Sequence, residues 1–122
     1  MKWEVQFHTA FEIEVLALER DVRVALVAAA KLLSDYGPQL GRPHADTLKG
    51  SRYPNMKELR FEAADGEWRA AFAFDPERRA IVLVAGNKSG GSQKRFYKTL
   101  IAKADLRFSE HLESLKSVRK GK

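Results

Sequence analysis

Residues 57–88 read KELRFEAADGEWRAAFAFDPERRAIVLVAGNK and resolve into three consecutive strands joined by two turns. Asp65-Gly66 is a hairpin signal, because a type I′ turn needs positive φ at both central positions and this pair tolerates it. A turn there sets Ala64 against Glu67, Ala63 against Trp68, Glu62 against Arg69 and Arg60 against Ala71. Side chains alternate along a strand, so Leu59, Phe61, Ala63, Trp68, Ala70, Phe72 and Phe74 share one face, which is core. The opposite face carries Glu58, Arg60, Glu62, Arg69, Ala71 and Ala73. A slip by one residue would bury the arginines and expose the aromatics, so burial specifies which face is which. In the second connection, Asp75-Pro76-Glu77-Arg78, proline stands where a type I turn favours it. The chain then enters an apolar run, 80–85, suited to a central strand. The polar face thus offers small alanines flanked by cations, a shallow floor for a phosphate backbone. Its simpler reading is a solvated sheet face with a Glu62–Arg69 cross-strand pair.

With 122 residues the chain is expected to form a single domain, 1–122, with a core of its own. There is no cysteine, which removes disulfides and thiolate metal sites. An alternating pattern begins almost at once, Trp3, Val5 and Phe7 against Lys2, Glu4 and Gln6. No signal-peptide core precedes it and no apolar run has the length of a membrane span. A cytoplasmic protein without a membrane partner is expected. The net charge of +6 is unevenly placed. From Asn87 onward there are ten basic and three acidic residues, a net +7, while the rest of the chain nets −1. Such a one-sided field suits a polyanionic partner. A basic tail from about residue 117, expected to be flexible, accounts for Lys120 and Lys122 but not for the cations in 88–98.

Taken in order, residues 2–7 make a first strand. Thr9 is the expected N-cap of a short helix carrying Phe11, Val15 and Leu18. A second helix carries Val22, Leu26, Ala29 and Leu33 and stops at Gly37-Pro38. The only long irregular segment, 37–54, holds Arg42, His44, Lys49, Arg52 and Tyr53. After the sheet comes the loop GNKSGGS, 86–92, which lacks the Gly-Lys-Ser/Thr order of a P-loop. Ser92 can cap a last helix, about 92–115, whose apolar stripe is Phe96, Leu100, Ala104, Phe108, Leu112 and Leu115. Its first turns set Lys94, Arg95, Tyr97 and Lys98 off that stripe.

His8, His44 and His111 are scattered, with no metal-protease spacing and no tight carboxylate cluster, and nothing marks a nucleophile elbow. No metal and no cofactor is expected. What remains is a set of arginines, lysines and a tyrosine. Such a set can clamp a phosphodiester and stabilise the extra negative charge of its pentacoordinate transition state. A lysine, arginine or tyrosine can also serve as acid or base where neighbours shift its pKa.

The order β-α-α-β-β-β-α, with GRPHADTLKGSRYPNMKELRFEA, then DGEWRAAFAFDP, then AGNKSGGSQKRFYKTLI, resembles the RelE/ParE superfamily of bacterial toxins, and within it the phage-derived HigB-like branch. The resemblance runs from Val5 to about Leu112. It implies an α+β fold, a mainly antiparallel twisted sheet with helices packed on one face. It also implies a toxin of a type II toxin–antitoxin module, a metal-independent endoribonuclease that cleaves mRNA in the ribosomal A site. By residue, Arg60 and Arg69 would hold the scissile phosphate, and Tyr97 would orient or deprotonate the attacking 2′-hydroxyl. Lys88 or Arg95 would stabilise charge on the phosphorane. Lys49, Arg52, Lys57, Lys94 and Lys98 would contact RNA backbone. The implied partners are mRNA, the ribosome and a cognate antitoxin with a helix-turn-helix domain, HigA-like. Glu58 stands where some members carry a second strand lysine, and the glycine-rich loop is longer, which shifts Tyr97 relative to Lys88. Two other functions fit the pattern less well. A ParE-like gyrase inhibitor would not need the tyrosine and arginines together, and a non-catalytic RNA-binding module would not need the leading strand and helix.

Overall fold

The computed structural model describes residues 2–120, and its hairpin turns one residue earlier than Asp65-Gly66. Strand β3, Lys57–Ala63, and strand β4, Gly66–Phe74, pair with Ala63 opposite Gly66, Phe61 opposite Trp68 and Arg60 opposite Arg69. The two positive-φ residues are Ala64 (50°) and Asp65 (59°). At Gly66 a Cβ would come within 2.6 Å of the Asn87 amide nitrogen, so a larger residue would have to displace the Asn87 side chain. The expected Glu62–Arg69 pair is therefore replaced: Glu62 faces Glu67, and Arg69 faces Arg60. Because the register moves by two residues, each side chain keeps its expected face.

Strand β1, Val5–Phe7, lies parallel to β5, Ala80–Asn87, and β2, Ala45–Thr47, lies antiparallel to β3. The sheet order is β1-β5-β4-β3-β2, mixed but mostly antiparallel. β2 is an addition to the expected order, since it forms inside segment 37–54, which also begins with a 3₁₀ turn at Gly37–Gln39. A bulge divides the β4–β5 ladder: Phe72 faces Val82 and Ala71 faces Val84, leaving Leu83 between partners. Most of the apolar run is buried, Ala80, Ile81, Val82, Leu83 and Val84 alike, because both faces of β5 are covered there.

Helices α1, Thr9–Leu16, and α2, Arg20–Tyr36, pack on one face, where Phe11, Leu26, Ala29 and Leu33 meet Leu59, Ala70, Phe72 and Val82. The cap of α1 is His8, whose Nδ1 accepts the Ala10 N–H at 3.1 Å, and not Thr9. Helix α3, Gln93–Lys120, does not join them. It crosses the other face, where Leu100, Ala104 and Phe108 pack on Ala71, Ala73, Ile81 and Leu83. The alanine floor expected to be open is thus fully buried; small side chains let the helix approach the sheet closely. The end of this face near the β3–β4 turn stays accessible, around Arg60, Glu62 and Glu67. The helix continues through the start of the expected basic tail, whose last two residues, 121 and 122, lie outside the described residues.

Candidate active site

Three rows of side chains cross the end of the sheet that α3 leaves uncovered. In the middle row Arg60 of β3 stands beside Arg69 of β4, and Gly86 of β5 lies opposite Arg69. Gly86 is small because Phe96 lies on it; a Cβ would sit 2.9 Å from the ring. One row inward, Glu58 faces Ala71, and Tyr97 from α3 reaches over to donate its hydroxyl to Glu58 Oε1 at 2.9 Å. One row outward, Glu62 faces Glu67, and Lys88 Nζ stands 4.0 Å from Glu67 Oε1. The loop after β5 is lashed to β4 by Lys88 N–H donating to the Glu67 carbonyl at 2.6 Å, and by Glu67 N–H donating to Ser89 Oγ at 2.7 Å. Ser92 Oγ accepts the Arg95 N–H at 3.2 Å and starts α3, as the sequence indicates.

Arg69 is the hub. It is 4 % exposed, donates Nη1 to its neighbour's carbonyl on Trp68 at 2.9 Å, and stands 3.9 Å from Glu58 and 3.7 Å from Glu67. Its buried Nε is the atom that faces Glu58 Oε1, at a distance too long for a hydrogen bond. A buried cation with an unanswered donor is costly unless something completes it. Burial pushes the Tyr97 phenol above its ordinary pKa, and the hydrogen bond to Glu58 raises it further. Tyr97 is therefore a protonated donor at neutral pH, and the base nearest to it is the Glu58 carboxylate. A cleft of about 460 Å³ opens beside Arg60 and Arg69, walled by Pro43, His44, Glu62 and Glu67.

Of the residues named from the sequence, Arg60, Arg69, Lys88 and Tyr97 come together. Arg95 does not: it lines a separate cavity of about 390 Å³ with Gly90, Gly91, Phe96 and Lys103. Lys94 and Lys98 are exposed on the first turns of α3. Lys49 and Arg52 are exposed on a loop tied to the middle of the same helix. There Ser51 Oγ and Arg52 N–H donate to Asp105 at 2.5 and 3.0 Å, and the Tyr53 and Ser109 hydroxyls are hydrogen-bonded. These four cations lie along α3, outside the cluster. Lys57 faces the α2 side, with Nζ donating to the Pro38 carbonyl at 3.3 Å, and stays outside the cluster. Glu58 and Glu67 are the members that residue-type reasoning passed over. Their signal was present, since Glu58 shares its face with Arg60 two residues on and Glu67 with Arg69.

A five-stranded mixed sheet with two helices on one face, a third across the other and a cationic cluster at one end is the arrangement of the RelE fold. A solved structure of Escherichia coli toxin RelE, a double arginine-to-alanine mutant in the free state, superposes with a TM-score of 0.60 at 15 % identity, over 84 % of this chain and 97 % of that one. The model of the family "Phage derived protein Gp49-like (DUF891)" matches residues 14–109. Two Mycobacterium tuberculosis proteins carry the toxin names HigB2 and HigB3. The first is 44 % identical over 103 residues, 84 % of this chain and 51 % of the relative. The second is 45 % identical over 98 residues, 80 % of this chain and 83 % of the relative. The chain thus spans about half the length of HigB2. This chain belongs to the phage-derived Gp49-like family, the HigB-like branch of the RelE/ParE toxins of type II toxin–antitoxin systems.

Proposed function

We propose that this protein is a metal-independent endoribonuclease that cleaves mRNA on the ribosome and so arrests translation in the cytoplasm. The observation that carries the reading is that Arg69 links Glu58, which holds the Tyr97 hydroxyl, to Glu67, which faces Lys88, with Arg60 on the adjacent strand. Arg60 and Arg69 clamp the scissile phosphate through charge-assisted hydrogen bonds from their guanidinium groups. Tyr97, held protonated, orients the ribose 2′-hydroxyl by hydrogen bonding, and Glu58 accepts its proton as the oxygen attacks phosphorus. The new 2′-O–P bond forms, the P–O5′ bond breaks with the 5′ oxygen taking a proton from water, and Lys88 adds positive charge to offset that developing on the phosphorane. Arg95, Lys49, Arg52, Lys94 and Lys98 meet RNA backbone at the rim. A cognate antitoxin with a helix-turn-helix domain is the expected partner.

Primer extension on a reporter mRNA, in translating extract with and without the protein, tests this reading. New 5′ ends inside translated codons are expected with the wild type and not with Arg69→Ala. A preorganised donor of this kind contributes roughly a hundred- to a thousandfold in rate. Because Arg69 is buried, circular dichroism must first confirm that the variant is folded. Arg69→Ala cutting at the wild-type rate overturns the phosphate clamp, and intact mRNA with loss of gyrase supercoiling overturns the ribonuclease reading.

A further inference from the structure

Strand β5 outlasts its parallel neighbour. β1 pairs with it from Ala80 to Val82, so residues 83–87 have β4 on one side and no strand on the other among the described residues. The Lys88 N–H donates to the Glu67 carbonyl, and hydrogen-bonded positions recur at every second residue of an antiparallel ladder. Gly86 and Val84 therefore bond across to β4, and the N–H and C=O of Ala85 point the other way. Arg107 Nη1 takes the Leu83 carbonyl at 2.8 Å, which closes the open side at that residue. At Ala85 nothing closes it. The Ala85 side chain packs with the α1–α2 layer, so what Ala85 presents there is backbone.

The cavity of about 390 Å³ beside Arg95 runs along this stretch. Its size falls within the roughly 300–1,000 Å³ of small-molecule sites. Val84, Phe96 and Leu100 give it apolar walls, and no acidic side chain lines it. Its charges are Arg95 and Lys103, roughly 12 Å apart along α3, with exposed Thr99 between them. Lys103 already has a counter-charge. The Arg107 hydrogen bond holds the Glu14 carboxyl below its ordinary pKa, and the Lys103 charge adds to that. The Arg95 guanidinium has no partner among the described residues. We infer that this cavity takes a free nucleoside monophosphate, with the pairing edge of its base on the Ala85 N–H and C=O and its phosphate on Arg95.

Each part of that ligand answers one feature of the cavity. An extended residue sets its own N–H and C=O side by side, and a nucleobase carries a donor beside an acceptor on its pairing edge. The flat of the base then lies against Phe96 and Leu100. A phosphate forks onto a guanidinium through paired hydrogen bonds. Inorganic phosphate would leave the apolar walls and Ala85 unanswered, and an uncharged nucleoside would leave Arg95 so. The site is distinct from the cationic cluster, since Tyr97 reaches Glu58 from the other side of the helix. The inference does not use the ribonuclease reading. The same chemical unit occurs within an RNA strand, and the experiment separates the two sources.

Backbone amide NMR of the full chain, titrated with 5′-AMP to millimolar concentration, is the test. Shifts at Ala85, Gly90, Gly91, Thr99 and Lys103 are expected, ahead of any at Arg60, Glu62 and Glu67. Arg95→Ala should weaken binding about tenfold. Adenosine, which lacks the phosphate, should bind about tenfold more weakly as well. The 6-dimethylamino analogue of AMP, whose methyl groups remove the donor of the pairing edge, should do the same. Thr99→Trp fills the cavity from an exposed helix position and should abolish the shifts, with circular dichroism confirming the fold. Absence of shifts at Ala85 overturns the inference. So do equal shifts from inorganic phosphate, which would make this an anion site alone, or equal affinity for adenosine or the dimethylamino analogue. A short oligodeoxyadenylate, with no 2′-hydroxyl to cleave, is the strand control. Shifts at these residues with the strand and not with AMP would leave Arg95 to RNA alone and overturn the inference too.

Discussion

The Glu58–Tyr97–Arg69 contact sets what each of its members can do. Glu58 and Arg69 are 7 % and 4 % exposed and face each other 3.9 Å apart, which holds both charged groups in fixed positions inside the sheet. Tyr97 adds a neutral donor to the same carboxylate, and its raised pKa makes the phenolate inaccessible near pH 7. Tyr97→Phe removes only the hydroxyl. We expect single-turnover cleavage to fall by roughly a hundredfold while ribosome binding, measured by co-sedimentation, stays at the wild-type level. Ala64 is a second informative residue. Its φ of 50° is a conformation that an L side chain adopts at a penalty of about 1–2 kcal/mol, which glycine does not incur. Glycine also gains freedom in the unfolded chain, so Ala64→Gly should stabilise by about 0.5–1 kcal/mol net, read from urea unfolding.

At the scale of elements, the β4–β5 connection is pinned to α3 by a buried carboxylate. Asp75 Oδ1 accepts the N–H groups of Glu77 and Arg79, each at 2.9 Å, and closes the turn. Oδ2 takes Arg79 Nε and Nη2 at 3.1 and 3.0 Å and meets His111 Nε2 of α3 at 2.8 Å. Burial by itself raises the Asp75 pKa, but the hydrogen bonds from His111 and from the Arg79 backbone and side chain outweigh it and hold the carboxyl below its ordinary 3.8. A depressed carboxyl contributes stability above its unfolded pKa and loses it as pH falls through the folded one. Asp75→Asn should therefore destabilise by roughly 3 kcal/mol at pH 7. The gap to wild type should close as the pH drops below about 4, in urea titrations run across that range. Gly37 is the matching device at the end of α2. Its φ is 58° and the Trp3 indole lies where a Cβ would go, 2.3 Å from Nε1. Gly37→Ala combines a left-handed penalty with displacement of Trp3 from Phe74, its edge-on neighbour, and should cost about 2 kcal/mol or more.

Across the whole molecule, the positive field lies along α3 and the loops beside it. Lys94 and Lys98 stand on its exposed first turns, Lys49 and Arg52 on the loop docked against its middle. Neither lysine reaches the Glu58–Arg69 contact, so their effect belongs to association with a polyanion and not to the chemical step. Replacing both with alanine should flatten the plot of log affinity against log salt by roughly 0.7 for each lysine that meets phosphate. Cleavage at saturating ribosome should stay near wild type. An unchanged slope would remove these lysines from the RNA interface.

The same scale separates what could be read along the chain from what could not. Alternation with period two assigned residues 58–63 of β3 and 68–74 of β4 to their faces, and a hairpin shift of two residues left that assignment intact, because parity is local. The helix boundaries near Gly37 and Ser92 were equally legible, since terminators and caps act within a turn. Arg60, Arg69 and Tyr97 were recognisable as a set by residue type and by family pattern. What the chain could not state is which face of the sheet each helix takes. An alanine at 71 or 73 is as compatible with an open floor as with a helix lying on it, and α3 makes it the second. That packing also brings Tyr97 to Glu58, 39 residues away, and leaves Arg95 on the far side of the helix. Such partners are chosen by how whole elements stack, a long-range outcome of burying apolar surface on both sides of one sheet, and no local pattern encodes it.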